Sequence, residues 1–268
     1  MSSTLARYTD RRVLITGGGS GIGQATVLRI LAEGGRVVAA DISDAGLRDT
    51  VAKAGGHQHL STVRMDVGDE ASVRDGVAEA VAAAGGLDTL VNAAGILRSA
   101  HFVDTTLADF ETIVRINLIG TFLVTRESIP ALRQGNSAAV VNFSSTSASF
   151  AHPYMSAYAA SKGGIQAMTH ALALEFSKER IRFNSVQPGS ISSGMTDGVG
   201  ASRQSIGPGL PADMDFSLLG KITSMLPLDG GAMFAQPDAV ASVVALLGSP
   251  DAYWITGTEV RVDGGTHM

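Results

Sequence analysis

Short aliphatic and β-branched runs alternate along the chain with longer segments whose apolar positions recur at helical spacing. Residues 11–16, RRVLIT, form such a short run and stop at glycines, which is typical of a buried strand. In residues 21–33, Ile22, Leu28 and Leu31 fall near one helical face. The pattern predicts strands over 11–16, 36–41, 59–66, 87–95 with its turn, 137–145, 180–189 and 257–265, and helices over 21–33, 44–54, 70–85, 106–133, 155–178 and 236–249.

The predicted strands are apolar at consecutive positions, as if both of their faces were buried. Such strands, each followed by a helix, predict an α/β fold with a parallel sheet covered by helices and right-handed crossovers. The alternation continues through residues 1–268, so we expect a single domain. Residues 1–10 are predicted to be an N-terminal tail, and residues 194–235 are irregular and rich in Gly, Pro, Ser and Met.

Composition narrows the class of protein. Of the 268 residues, 45% are hydrophobic and 17% are charged, and the net charge is -5 without a basic tract, so nucleic-acid binding is not expected. There is no cysteine, which excludes disulfides and thiolate chemistry, and the histidines show no metal-ligand spacing. With no apolar run of membrane-span length and no apolar stretch typical of a secretory signal, we expect a cytoplasmic protein without a membrane partner.

A glycine-rich motif, TGGGSGIG over residues 16–23, lies between the first predicted strand and the first predicted helix. Glycines there permit a tight turn and a close approach of the backbone to a pyrophosphate, which the free N–H groups of the helix N-terminus would bind. In this position the motif predicts a dinucleotide site, although a ligand-free glycine connector is the alternative. The residues assigned to it are Gly17, Gly19, Ser20, Gly21, Ile22 and Gly23.

Asp41 ends the second predicted strand. A carboxylate in this position can accept hydrogen bonds from the adenosine ribose hydroxyls and would repel a 2′-phosphate. Ile42 and Ser20 are not basic, so the local chemistry favours NAD over NADP. A turn or helix-capping role for Asp41 is the alternative.

Further motifs follow in a fixed order: NAAG (92–95), NLIGTF (117–122), VVNFSS (140–145), YAASK (158–162) and PGSI (188–191). With the glycine motif, their order and spacing resemble the short-chain dehydrogenase/reductase family over essentially the whole chain. The resemblance implies one Rossmann-type, doubly wound domain with a mostly parallel seven-stranded sheet in the order 3-2-1-4-5-6-7. It also implies a nicotinamide cofactor and a homotetramer or a homodimer.

The resemblance also implies residue roles. The family's catalytic positions correspond to Asn117, Ser145, Tyr158 and Lys162. Tyr158 and Lys162 would also contact the cofactor, with Lys162 on the nicotinamide ribose and Asn117 holding a relay water. Further cofactor contacts are implied for Asp66, Val67, Asn92, Ala93, Ala94, Gly95, Pro188, Gly189, Ile191 and Ser193.

Tyr158 and Lys162 are four residues apart on a predicted helix and therefore share one face. A nearby ammonium favours a phenolate, so we expect the pKa of Tyr158 to lie below its ordinary value of about 10. Tyr158 would then act as general acid and base toward a secondary alcohol or ketone, while Ser145 binds the substrate oxygen. Taken alone, such a Tyr–Lys pair is more often a surface feature.

The sequence departs from the family pattern in three places. Ala148 replaces a frequent glycine, Ser193 replaces the usual threonine, and residues 194–235 exceed the length typical of the family. We predict that this long segment is a flexible substrate lid with short helices around 213–225, because loops of such length are usually lids or disordered. Its apolar residues Met195, Leu218, Met225 and Phe234 would line the pocket or, alternatively, pack internally or on a neighbouring subunit.

The other residues assigned to the substrate pocket are Ser147, His152 and Tyr154, together with Met195. The predicted function is hydride transfer between NAD(H) and a secondary alcohol or ketone. Two alternatives stay open: an NADPH-dependent 3-oxoacyl-carrier-protein-type reductase, and a catalytically silent nucleotide-binding protein on the same fold. The sequence identifies neither the substrate nor the direction of the reaction.

Overall fold

A seven-stranded sheet forms the centre of the molecule. The structure, a computed structural model, describes residues 6–192, 210–211, 213–219, 224–228, 232 and 234–267. The strands are β1 (Arg12–Thr16), β2 (Arg36–Asp41), β3 (Leu60–Arg64), β4 (Thr89–Asn92), β5 (Ala139–Phe143), β6 (Arg182–Pro188) and β7 (Glu259–Val262). They pair in the order β3-β2-β1-β4-β5-β6-β7 with every pairing parallel, which confirms the predicted strand order.

Helices cover both faces of this sheet. They are α1 (Gly21–Ala32), α2 (Asp44–Lys53), α3 (Glu70–Ala84), α4 (Leu107–Val114), α5 (Gly120–Leu132), α6 (Ser156–Glu175), α7 (Phe216–Leu219) and α8 (Asp238–Gly248). Apolar residues of α1, α2 and α8 pack on one face, and those of α3, α5 and α6 pack on the other.

Consecutive strand residues serve opposite faces of the sheet. In β1, Val13 and Ile15 join the apolar cluster beneath α1 and α8, whereas Leu14 joins the cluster beneath α3 and α5. Side chains along a strand alternate between the two faces, so a sheet with two buried faces needs unbroken apolar strands. This is the physical reason for the short apolar runs of the sequence.

The predicted helix over 106–133 is interrupted. Residues Arg115–Ile119 form a π-helical turn between α4 and α5. Such turns are rare and often occur at functional sites. This one contains Asn117, whose side chain is completely buried.

Residues 6–10 belong to the predicted N-terminal tail, yet they pack against the domain. Tyr8 is fully buried, and its hydroxyl donates a hydrogen bond to the Ala245 carbonyl at 2.9 Å. Arg7 pairs with Glu33 at 2.7 Å. This part of the segment is therefore tied to α1 and α8.

None of the helices in the described part of the chain combines the length and the apolar character that a membrane span needs. Within the same residues, no group of three or more acidic, histidine or cysteine side chains is arranged to hold a metal ion.

Candidate active site

The glycine motif forms the turn between β1 and α1, and two of its glycines have no room for a side chain. Gly17 has φ +69°, and a Cβ on it would lie 2.7 Å from the Ala94 nitrogen. A Cβ on Gly23 would lie 2.1 Å from the Gly17 carbonyl oxygen. The first turn of α1 therefore packs directly against the loop that precedes it.

The N-terminus of α1 is open to an anion. Ser20 is its N-cap residue, but the Ser20 side chain makes no capping hydrogen bond, and the first turn contains no acidic residue. The N–H groups of a first helical turn have no partner within the helix and favour negative charge. The loop and the helix start therefore fit a dinucleotide pyrophosphate, with Gly21 and Ile22 in the first turn.

Asp41 ends β2 beside this loop. One carboxylate oxygen accepts a hydrogen bond from the Gly19 amide at 3.0 Å, and the other accepts one from the Ser43 amide at 2.9 Å. Ile42 is exposed next to it. The carboxylate thus lies at the edge of the pyrophosphate loop, where an adenosine ribose would fit.

Two further loops reach the same edge of the sheet. Asp66, two residues beyond β3, accepts a hydrogen bond from the Gly68 amide at 2.9 Å, and the neighbouring Val67 is buried against Gly120. A Cβ on Gly17 would also touch the Ala93 carbonyl carbon, so the loop after β4 passes beside the glycine turn.

Asn92 faces the interior of the domain. Its side-chain amide donates to Thr125 at 3.0 Å and to Asn142 at 2.9 Å. Asn142 in turn donates to Thr169 at 2.9 Å. Any contact of Asn92 with a cofactor would therefore involve its backbone, while its side chain joins β4 to β5.

Lys162 lies on α6 with only 4% of its surface exposed. Its ammonium donates a hydrogen bond to the Phe143 carbonyl at 2.7 Å and lies 5.6 Å from the centre of the Tyr158 ring. A Cβ on Gly95 would be 3.5 Å from this ammonium, so the loop after β4 leaves little space above it.

Ser145 lies two residues beyond β5 and is buried. Its hydroxyl oxygen accepts hydrogen bonds from the Ser147 amide at 3.2 Å and from the Ser147 hydroxyl at 3.0 Å. It also forms a hydrogen bond with the Tyr158 side chain. The loop after β5 and the first turn of α6 thus bring the two hydroxyls together.

The expected fall in the pKa of Tyr158 is wrong for the protein chain by itself. Burial raises the pKa of Tyr158 to about 12, and the hydrogen bond with Ser145 lowers it only in part. Burial also lowers the pKa of Lys162 to about 8. Burial shifts both groups toward their neutral forms because the interior stabilises charge poorly, but a pKa of about 8 still leaves Lys162 charged at neutral pH.

Asn117 joins the π-helical turn to its surroundings. Its side-chain oxygen accepts from the Ile96 amide at 2.8 Å, and its side-chain nitrogen donates to the Ile96 carbonyl and the Ser161 hydroxyl, both at 3.0 Å. Ser161 precedes Lys162 on α6. Asn117 thus fixes the loop after β4 against the helix that contains Tyr158 and Lys162.

The loop after β6 lies at the far side of the same edge. The Gly189 amide donates to the Val262 carbonyl at 3.0 Å, next to Pro188 at the end of β6. Ile191 is buried and forms a parallel bridge with Ala235. The predicted contacts Ser193 and Met195 lie outside the described residues.

Three of the predicted pocket residues lie between β5 and α6. Ser147 is buried beside Ser145. The imidazole of His152 lies 3.4 Å from the Thr146 hydroxyl and 3.1 Å from the Phe150 carbonyl, and burial lowers its pKa. Because a carbonyl can only accept, the Nδ1 atom of His152 is the donor, and its Nε2 atom is left as an acceptor. Tyr154 has φ +67°.

Several neighbours of the site were not anticipated from the sequence. The His267 ring stacks on Phe150 with 4.3 Å between ring centres. His101 lies edge-on to the Tyr154 ring at 5.2 Å. Contacts between residues so far apart in sequence leave no local signal. A residue can be found from the sequence only when it lies next to a motif, as Ser161 lies next to Lys162.

The fold and this site define an oxidoreductase of the dinucleotide-binding α/β class. A family model described as enoyl-(acyl carrier protein) reductase matches residues 17–267. Levodione reductase from Leifsonia aquatica is 33% identical over 98% of this chain and 97% of its own, and 3-oxoacyl-[acyl-carrier-protein] reductase FabG from Thermotoga maritima is 34% identical over 97% and 98%. The chain therefore belongs to the short-chain dehydrogenase/reductase family.

A solved structure supports the same assignment. The short-chain dehydrogenase from Mycobacterium paratuberculosis bound to NAD is 28% identical and has a TM-score of 0.87, with 97% of this chain and 98% of that chain covered.

Proposed function

We propose that the protein is an NAD-dependent dehydrogenase or reductase that acts on a secondary alcohol or the corresponding ketone. The observation that supports this best is the meeting of Ser145, Tyr158 and Lys162 at the edge of the sheet where the glycine loop opens. Ligands of open parallel sheets bind at the carboxyl ends of the strands. When bound, the nicotinamide would take up or supply the hydride.

The chain's own residues would handle the proton. Tyr158 is the general base toward the hydroxyl in oxidation and the general acid toward the oxygen in reduction. Ser145, already hydrogen-bonded to Tyr158, would donate to the substrate oxygen and orient it. Lys162 would supply the positive charge that stabilises the Tyr158 phenolate. Asn117 would hold the loop after β4, which borders the ammonium.

NAD is the cofactor that the ribose end of the site favours. Asp41 presents a carboxylate at the glycine loop, and neither Ser20 nor Ile42 beside it is a cation. A 2′-phosphate would meet this carboxylate without local compensation, and the two negative charges would repel each other. NADP is therefore the less favoured cofactor.

The NADPH-dependent 3-oxoacyl-type reductase is the second candidate, and the similarity to the Thermotoga maritima reductase favours it. The Asp41 carboxylate argues against this candidate, because it would repel the 2′-phosphate of NADPH. A third candidate is a silent nucleotide-binding protein, which would have no use for the Ser145, Tyr158 and Lys162 arrangement.

For assembly, we propose a homotetramer or homodimer in the cytoplasm, formed by one domain over residues 1–268 with a lid over about 194–235. Large apolar side chains support self-association: Phe122 on α5 is 44% exposed, Leu174 on α6 is 80% exposed, and Trp254 is 88% exposed. If these side chains form one contiguous patch on the surface, that patch would mark a protein interface. Light scattering after size-exclusion chromatography would give the mass, and a monomer would contradict this proposal.

The test of function compares wild type with Tyr158→Phe on a panel of secondary alcohols and ketones, each with NAD(H) and NADP(H). We expect a loss of about 100-fold or more in kcat, because general acid–base catalysis contributes at least that much. Tyr253→Phe is the matched control, since Tyr253 is an exposed tyrosine away from the site.

Equal rates for wild type and Tyr158→Phe would contradict the mechanism. NAD binding without turnover would favour the silent protein, and stronger stabilisation by NADP would favour the acyl-type reductase.

A further inference from the structure

The short helix α7 and the turn before it are attached to the rest of the domain by two polar contacts. The Asp215 amide donates a hydrogen bond to the phenol oxygen of Tyr154 at 2.9 Å. The Nε2 atom of His101 lies 2.9 Å from a carboxylate oxygen of Asp213. We refer to these contacts, His101 to Asp213 and Tyr154 to Asp215, as the latch.

The domain side of the latch is held firmly. The Ala100 amide donates to the Tyr154 carbonyl at 2.9 Å, which joins the loop after β4 to the loop after β5. The rings of His101 and Tyr154 are edge-on at 5.2 Å. Tyr154 also has φ +67°, a left-handed conformation that is costly for a bulky residue and persists only where the surroundings fix it.

The latch lies at the edge of the sheet that contains the site. His101 follows β4, Tyr154 follows β5, and residues 213–219 follow β6, so the three segments leave the carboxyl ends of neighbouring strands. Tyr154 precedes Tyr158 by four residues. A segment held by His101 and Tyr154 therefore borders the cleft that opens above Tyr158.

The contacts are suited to repeated opening. The side chains of His101 and Asp213 are 36% and 80% exposed, and exposed polar contacts contribute little stability because water competes for both partners. The hydrogen bond to Tyr154 is likewise accessible to solvent on its Asp215 side. Such a latch can bias a segment toward one position without locking it there.

We propose that His101 and Tyr154 are positioning residues that hold residues 213–219 over the substrate cleft. The inference rests on the proposed function. The held segment excludes water and raises the affinity for the substrate, whereas proton transfer stays with Tyr158 and Ser145. Loss of the latch therefore raises KM for the alcohol or ketone and leaves kcat and the KM for the dinucleotide nearly unchanged.

The test uses the double variant His101→Gln/Tyr154→Phe in the full chain. Its matched control is His57→Gln/Tyr253→Phe, which makes the same chemical changes at exposed positions outside the latch. We expect about a 10-fold rise in the substrate KM for the latch variant and a change of kcat within about 2-fold, because two weak contacts are lost. The control should match wild type.

Hydrogen exchange provides a second readout that needs no substrate. The Asp215 amide should exchange faster by about 3-fold to 10-fold in the latch variant, because its acceptor is gone. The swapped pair His101→Asp/Asp213→His restores the contact between an imidazole and a carboxylate and should recover wild-type KM, whereas His101→Asp alone should not. Unchanged exchange and unchanged KM in the latch variant would overturn the inference. If no alcohol or ketone is turned over, the proposed function fails, and the exchange experiment still decides whether the latch exists.

Discussion

The Lys162 ammonium lies 5.6 Å from the centre of the Tyr158 ring but donates its hydrogen bond to the Phe143 carbonyl, at 2.7 Å. The lysine is therefore anchored to β5 while its charge lies beside the Tyr158 ring. In the chain by itself, burial favours the neutral form of both groups. The arrangement therefore keeps Tyr158 protonated at neutral pH.

The first prediction concerns the titration of Tyr158. Phenolate absorbance, taken as the difference between wild type and Tyr158→Phe, should be absent below about pH 11, because the pKa of Tyr158 is raised to about 12. Since the folded-state pKa exceeds the ordinary value of 10.0, the stability contributed by Tyr158 is complete below pH 10 and is lost as pH rises toward 12. Saturating oxidised NAD should lower the midpoint, because the nicotinamide ring is positively charged. A phenolate signal near neutral pH without dinucleotide would contradict the raised pKa of Tyr158.

The second prediction is that Lys162→Met abolishes turnover without unfolding the protein. Burial lowers the pKa of Lys162 from 10.5 to about 8, which corresponds to a cost of about 3 kcal/mol for the charged form at neutral pH. The substitution removes this cost but leaves the Phe143 carbonyl without its donor, which costs about 1–3 kcal/mol. The two effects nearly offset each other, so the free energy of unfolding at pH 7 should change by at most about 2 kcal/mol.

The difference in the free energy of unfolding between wild type and Lys162→Met should change with pH, and the direction of that change follows from the pKa of Lys162. The folded-state pKa is depressed, so wild type gains stability as pH rises from 8 to 10.5, and the variant does not. Denaturant unfolding at pH 7 and pH 10 should therefore shift in favour of wild type at the higher pH. A constant difference at both values would mean that Lys162 titrates normally.

The third prediction is a change of cofactor preference in Asp41→Asn/Ile42→Arg. Removing the carboxylate and adding a cation should lower NAD affinity about 10-fold to 100-fold and raise NADP affinity, because hydrogen bonds to a charged acceptor are lost and a phosphate partner is gained. Dinucleotide titration by fluorescence measures both. Asp44→Asn is the matched control, as Asp44 is an exposed carboxylate on α2, and it should leave the preference unchanged.

The fourth prediction concerns the turn at Gly23. Gly23→Ala places a methyl group 2.1 Å from the Gly17 carbonyl oxygen if nothing moves, so the loop must shift. We expect at least about a 10-fold loss of dinucleotide affinity and a destabilisation of about 1–3 kcal/mol. Gly163→Ala is the control, because a Cβ there meets nothing within 4 Å. That helical alanine should keep or raise the melting temperature. Similar melting shifts for both variants would contradict the steric argument.

Much of the fold followed from local pattern. The apolar runs around Leu14 and Val141 predicted strands buried on both faces, and helices between such strands require parallel pairing. The glycines at 17 and 23 located the tight turn between β1 and α1, because a side chain at either position would collide with the backbone. The break at Asn117 was not foreseen, because helices flank the π-helical turn on both sides and neither glycine nor proline occurs within Arg115–Ile119.

Some properties of the site were decided only by the tertiary structure. The spacing of Tyr158 and Lys162 determined that they share a helical face, but their protonation depends on how deeply the loops after β4 and β5 bury them. Likewise, nothing near Tyr154 in sequence indicates that its phenol meets Asp215, 61 residues away. The sequence by itself determined the elements, their order and the chemistry available at each turn, because these depend on neighbouring residues. The tertiary structure decided burial, pKa and long-range contacts, because these depend on which distant segments share one edge of the sheet.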